Sequence, residues 1–145
     1  MATSKKTRST KPVRKRLSSP VTSRSIEVRV LFTCVGRRVQ LIQAFRRAGE
    51  SLGLRLEVHG ADASVLSPAI HLVDNPHLVP PIAAEGYVDA MLDIVRRNRI
   101  QLLVPLLDFE LPLLAPQRDR FAHLGCCVLI SSAEVVETCR DKWKT

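Results

Sequence analysis

Two spacings of apolar residues take turns along this chain. EVRVLFT, residues 27–33, reads as a first strand. After Gly36 the apolar positions Val39, Ile42, Phe45 and Ala48 recur at helical spacing until Gly49 or Gly53 stops them. LRLEVHG (54–60) alternates as a second strand. A proline-punctuated connection follows, with one helical turn near Leu66 and a brief strand at HLVPP, residues 77–81.

Residues 85–99 form the clearest helix. Val88, Met91, Leu92 and Val95 share one face, while acids near the start and arginines near the end suit the helix dipole. QLLVPLL (101–107) is almost unbroken apolar sequence, as expected of a strand covered on both faces. A short helical turn, a helix from Pro116 to Leu124 and a strand at CCVLI (126–130) come next. SSAE then fits a capping box from Ser131 to Glu134 that opens a last helix. Parallel strands need crossovers, so this order predicts an α/β fold: a Rossmann-like, open, mostly parallel sheet of about five strands with helices on both faces.

Charge changes the picture at one end only. The net charge is +8, yet all 14 acids and 14 of the 22 Lys/Arg lie at or beyond Ile26. The excess sits in residues 1–25, a Ser/Thr/Pro-rich stretch with few aliphatics, where burial would not repay the entropy of ordering. That tail is expected to be disordered. It is suited at most to weak contact with nucleic acid or an acidic partner, and it has no aromatic side chain for base stacking. No apolar run is long enough to span a membrane. Cys34, Cys126, Cys127 and Cys139 lack C-x-x-C spacing, and the four histidines are scattered, so reduced cytoplasmic thiols and no zinc site are expected. Cys126 and Cys127, adjacent in a strand, should face opposite ways.

In such sheets ligands bind beyond the carboxyl ends of the strands, where strand order reverses. That rule selects the Gly36 turn, GADAS (60–64), LLDFE (106–110) and ISS (130–132). The Gly36 turn supplies only the middle glycine of a dinucleotide fingerprint, and there is no Lys-Ser/Thr pair for a P-loop, which excludes both. Arg37 and Arg38 stand at the positive end of a helix. Either they point into solvent, or Gly36, the following amides and an arginine fork hold a carboxylate or phosphate. Asp108 and Glu110 either cap the turn that follows or, with Asp62, hold an ammonium group. An anion pocket beside an acidic one suits an amino-acid-like ligand, and Arg37, Asp108 and Glu110 are expected to border one cleft.

Taken in order, VLFTCVGRRVQLIQAF, HGADAS, LVPP, LLVPLLDFELPLLA and SSAEVVETCRDKWKT resemble the N-terminal domain of ATP-grasp ligases. The resemblance is to the carbamoyl-phosphate-synthase-like branch that includes pyrrolysine-pathway ligases. It implies a Rossmann-like pre-ATP-grasp domain over residues 26–138 and the start of an ATP-grasp region over 139–145. It also implies a ligase that activates a carboxylate as an acyl phosphate for attack by an amine. Carried over by position, Gly36, Arg37, Asp108 and Glu110 fall at the substrate side, where the strand-end reading adds Asp62 as a further substrate-binding residue, and Lys142 of the Asp141–Lys142 pair approaches ATP; no catalytic or metal-binding residue is implied.

ATP and Mg are the cofactors of the full-length family. The sequence stops at Thr145, before the family's glycine-rich lid and Mg-holding acids. A truncated chain, inactive alone and binding neither cofactor by itself, is therefore expected, with the ATP-grasp domain supplied in cis or in trans. The other reading is a stand-alone small-ligand-binding or protein-interaction module with a basic recruiting tail.

Overall fold

A computed structural model describes residues 26–140. Strand β1 (Ile26–Thr33) lies at the centre of a five-stranded sheet, with β2 (Leu54–Asp62) and β3 (Asn75–Leu78) on one side and β4 (Leu102–Pro105) and β5 (Cys127–Val128) on the other. Every pairing is parallel. The chain steps outward through β1, β2 and β3, then returns across the sheet to β4. Strand order therefore reverses between β1 and β4, where the loops leaving the two strands diverge and leave a crevice.

The two-residue period of β1 divides the core. Val30 and Phe32 face helix α1 (Val39–Ser51) and pack with Ile42, whereas Leu31 faces α2 (Tyr87–Asn98) and packs with Met91, Val95 and Phe121. With helices on both faces, the fold class is the one expected. Three further helices complete it: α3 (Leu111–Leu114), α4 (Arg118–His123) and α5 (Ala133–Arg140).

Several boundaries differ from the sequence reading, each for a local reason. Gly49 lies inside α1, because a Cβ there would stand 2.6 Å from Leu56 Cγ; a small residue lets the helix settle on β2, and Gly53, at φ 68°, follows the true end. The helical turn forms at Pro68–His71 rather than near Leu66. Strand β3 begins two residues earlier than HLVPP, where Pro76 is tolerated on an edge strand, and ends at Leu78, before Pro80 and Pro81, which carry no N–H for the ladder.

Strand β5 spans only two residues, because the Ile130 amide turns back to the Val128 carbonyl at 2.9 Å. The cap of α5 is Ser132, whose Oγ accepts the Val135 amide at 3.3 Å, so the capping box at Ser131 does not form. Cys126 is buried and Cys127 exposed, as strand alternation demands. The expectations for residues 1–25 and for Lys142 fall outside the described residues.

Candidate functional site at the strand-order reversal

The loop leaving β1 turns sharply. Cys34 has φ 51° and Gly36 φ 50°, so a cysteine occupies the left-handed region that L side chains seldom adopt. Asp62, at the end of the neighbouring β2, braces this turn: its Oδ2 accepts the Gly36 amide at 2.8 Å and its Oδ1 accepts the Ser64 amide at 3.0 Å. The Arg38 amide donates to the Val35 carbonyl at 2.9 Å. The Gly36 amide, expected to greet an anion, is thus committed to Asp62. The turn is a braced strand-to-helix connection rather than a phosphate cradle, and positive charge at its mouth comes from arginine side chains.

Those two arginines diverge. Arg38 is half-buried, donates from Nη1 to the Cys34 carbonyl at 3.3 Å, and lines a cleft of about 320 Å³ together with Cys34, Asp62, Ser67 and Tyr87. Val79, Pro80, Pro81 and Ile82, which follow β3, form its apolar wall. Arg37 is exposed and lines an adjoining groove with Ser64, Leu66 and Pro68.

Behind the cleft, Tyr87, the first residue of α2 and the only tyrosine of the chain, reaches Glu110. Its hydroxyl donates to Glu110 Oε2 at 2.6 Å, while Glu110 Oε1 accepts the Leu106 and Leu107 amides at 2.9 and 3.0 Å. Glu110 is wholly buried. Because the phenol proton is spent on the carboxylate, the 3.6 Å contact between Cys34 Sγ and Tyr87 Oη has the thiol as donor. Burial first, and then the nearby Glu110 charge, push the Cys34 thiol up to about 11, and the same two causes raise the Tyr87 phenol. The floor of the cleft therefore shows a protonated, unreactive sulfur.

Of the residues singled out from sequence, Gly36 and Asp62 stand together at the cleft, Arg37 faces the adjoining groove, Asp108 is exposed after β4, and Glu110 lies beneath the surface. The expected cleft bordered jointly by Arg37, Asp108 and Glu110 does not form, since Glu110 holds its own loop from inside. Arg38 was offered with Arg37 as part of an arginine fork, and of the two it is Arg38 that lines the cleft; Cys34 and Tyr87 were not singled out, and the tyrosine near a helix start was the available signal. Among the described residues no group of three or more His, Cys, Asp or Glu is placed to hold a metal ion. No helix among them is long and apolar enough to cross a membrane.

Comparison with known proteins bears on this geometry. Solved structures of similar fold include the biotin carboxylase subunit of pyruvate carboxylase, with TM-score 0.57 and 15% identity over 81% of this chain and 26% of that one. The biotin carboxylase domain of a single-chain bacterial carboxylase gives TM-score 0.54 and 19% identity over 81% of this chain and 27% of that one. A complete multifunctional pyruvate carboxylase from Rhizobium etli gives 0.56 and 13%, over 81% and 12%. At such identities the likeness is one of fold, that of a pre-ATP-grasp domain, and the chain spans about a quarter of the length of the first two. None of the curated protein sequences compared matches the chain. The family model described as "PylC-like, N-terminal domain" matches residues 30–129, well over half of the chain, which belongs to that family.

Proposed function

We propose that this domain is the substrate-side part of an ATP-dependent carboxylate–amine ligase of the ATP-grasp type, and that the cleft over the carboxyl ends of β1 and β2, walled by the segment that follows β3, receives a small amino-acid-like substrate. The observation that carries the reading is the pairing of opposite charges there. The Arg38 guanidinium and the Asp62 carboxylate line one small cleft whose opposite wall is apolar. Each Asp62 oxygen accepts one backbone proton and keeps capacity for another donor, so an ammonium group has a partner beside the carboxylate's arginine. In the whole ligase, a substrate carboxylate would attack the γ-phosphorus of ATP with ADP leaving, and an amine would then displace phosphate from the acyl carbon. Nothing among the described residues performs that transfer; their part is to bind and orient.

A second feature supports a domain that works with more polypeptide. Beside the cleft lies a groove of about 890 Å³ lined by Ile82, Val88, Phe109, Pro112 and Leu113, with Arg140 at its rim. Phe109 is 81% exposed there, an arrangement that favours a docked partner surface over the stand-alone module. The partner in this reading is the ATP-grasp region, in cis or in trans.

Titration of the 145-residue chain with single amino acids, followed by amide chemical shifts, tests the site. Shifts are expected at Gly36, Ser67 and Ile82, and Arg38→Ala weakens binding by about tenfold or more whereas Arg37→Ala changes it less than about twofold. A larger effect at Arg37 would move the site to the adjoining groove, and no binding by any amino acid would overturn the assignment of this cleft.

A further inference from the structure

A polar row crosses the sheet below the cleft, on the α2 side. Arg29 of β1, Glu57 and His59 of β2, and Asn75 and His77 of β3 are brought side by side by the parallel register. Arg29 Nε donates to Glu57 Oε2 at 3.0 Å, and Asn75 Nδ2 donates to Glu57 Oε1 at 2.9 Å. His59, only 1% exposed, has Nε2 3.3 Å from Glu57 Oε1 and Nδ1 3.0 Å from His77 Nε2. The two rings are within 5° of parallel with centroids 5.3 Å apart, the separation of rings set end to end across an N–H···N bond rather than one above the other.

His59 Nε2 lies between Glu57 Oε1 and, at 3.5 Å, the Asn75 amide nitrogen. With its proton on Nε2, directed at Glu57, neutral His59 accepts at Nδ1 from His77 Nε2; with Nε2 accepting from Asn75 it donates from Nδ1 instead, so in either neutral tautomer one N–H lies between the rings. One added proton is tolerated. It can sit on the outer nitrogen of His77, or on His59 with His77 changing tautomer, and in both cases one N–H still lies between the rings. A second proton places an N–H on both facing nitrogens and two positive rings in contact, and the bond is lost. Charges around the pair come from Glu57 on its own strand, Arg29 with its partner Glu27 on β1, and Asp74 before β3, which Arg46 of α1 holds at 2.9 Å. Burial pushes both imidazoles below their ordinary value, and for His77 the facing His59 charge adds to this.

What hangs from the pair is the cleft wall. β3 is an edge strand of four residues, and Val79, Pro80, Pro81 and Ile82 follow it directly. The Val79 amide donates to the Asp62 carbonyl at 3.0 Å, at the residue that braces Gly36. We propose that His59 and His77 form an acid-labile clasp on β3 that stores one proton without opening and, on taking a second, releases the edge strand together with the Val79–Ile82 wall of the cleft. As regulation of that cleft it rests on the functional reading above, whereas its structural consequence requires no ligand.

The test is a ligand-free acid titration of the 145-residue chain, following imidazole nitrogens and backbone amides by nuclear magnetic resonance. Two separated, coupled steps are expected at the two rings. In the lower step alone, the Leu78, Val79 and Ile82 amides shift, and protection of the Val79 amide against hydrogen exchange falls about tenfold or more relative to β1. His77→Gln keeps an N–H donor but removes the second charge, and should abolish that step. Independent titration of the rings near the ordinary histidine value, an unmoved Val79 amide, simultaneous loss of the β1 amides, or an unchanged transition in His77→Gln would each overturn the clasp. Since nothing is bound, these outcomes leave the substrate reading of the cleft standing.

Discussion

The Tyr87 hydroxyl donates to the Glu110 carboxylate at 2.6 Å, joining the first residue of α2 to the loop that leaves β4. That carboxylate also receives two backbone amides and is wholly out of solvent. Glu110→Ala strands three donors, the buried Tyr87 hydroxyl and the part-buried Leu106 and Leu107 amides, and should cost roughly 3 kcal/mol or more, whereas Tyr87→Phe removes the bond to Glu110 and the longer Cys34 contact and should cost about 1–2 kcal/mol. Urea unfolding of the two variants and their double mutant checks this. Glu110 is a structural anchor only if the double mutant is less destabilised than the sum.

Gly49 sits within α1 against Leu56. Helix propensity alone would favour alanine by about 1 kcal/mol. The added Cβ would stand 2.6 Å from Leu56 Cγ and 2.8 Å from its Cδ1, so overpacking opposes the gain and Gly49→Ala is expected to destabilise by about 1–2 kcal/mol. The midpoint of thermal unfolding reports the sign directly.

The elements with strong periodicity were legible in the chain. β1, α1, β2, α2 and β4 could be read because burial on two faces or one stripe imposes a spacing on the residues themselves. Glu110 shows where such reading stops. An acid in a turn looks solvent-bound, and only the sheet brings it to a tyrosine 23 positions earlier. Arg37 and Arg38 are neighbours in the turn that precedes α1, and the backbone of that turn decides which one enters the cleft. The histidine pair was invisible for the same reason, since His59 and His77 meet only through the register of an edge strand.

The four thiols should separate into two classes. Burial first, and then neighbouring charge, push Cys34 up to about 11 and Cys126 up to about 12, leaving almost no thiolate at neutral pH. Cys127 and Cys139 are exposed. Iodoacetamide followed by peptide mass spectrometry should label Cys127 and Cys139 at least about tenfold faster than the other two. Rapid labelling of Cys34 would contradict a cleft floor whose thiol proton is directed inward to Tyr87.

Asp74 ties the connection before β3 to both α1 and β2. Burial would raise its carboxyl, but the Arg46 bond at 2.9 Å and the Val58 amide at 2.8 Å outweigh it and hold it below the ordinary value. A depressed carboxylate contributes stability that is present above its unfolded value, about 3.9, and is lost as pH falls through the folded one. The histidines act in the higher window: with folded values below about 6.5, their neutral forms contribute stability that declines as pH falls beneath it. Asp74→Asn should therefore flatten the acid limb below about pH 4 and leave the slope between about 6.5 and 5 intact. Stability curves collected across that range distinguish the two windows.

Asp62 carries the last prediction, because it is both brace and cleft residue. Asp62→Asn keeps an acceptor for one of the two amides it now binds, Gly36 or Ser64, and turns its other end into a donor. The loop should lose about 1–2 kcal/mol of local stability, and the Gly36 amide proton should move upfield as its charge-assisted bond weakens. Amino-acid binding should fall further than the binding of a simple carboxylate such as acetate, since the variant removes the ammonium partner and leaves Arg38 in place. Equal losses for the two ligands would mean that Asp62 acts only by shaping the turn, and a downfield or unmoved Gly36 amide would mean that the brace does not exist in solution.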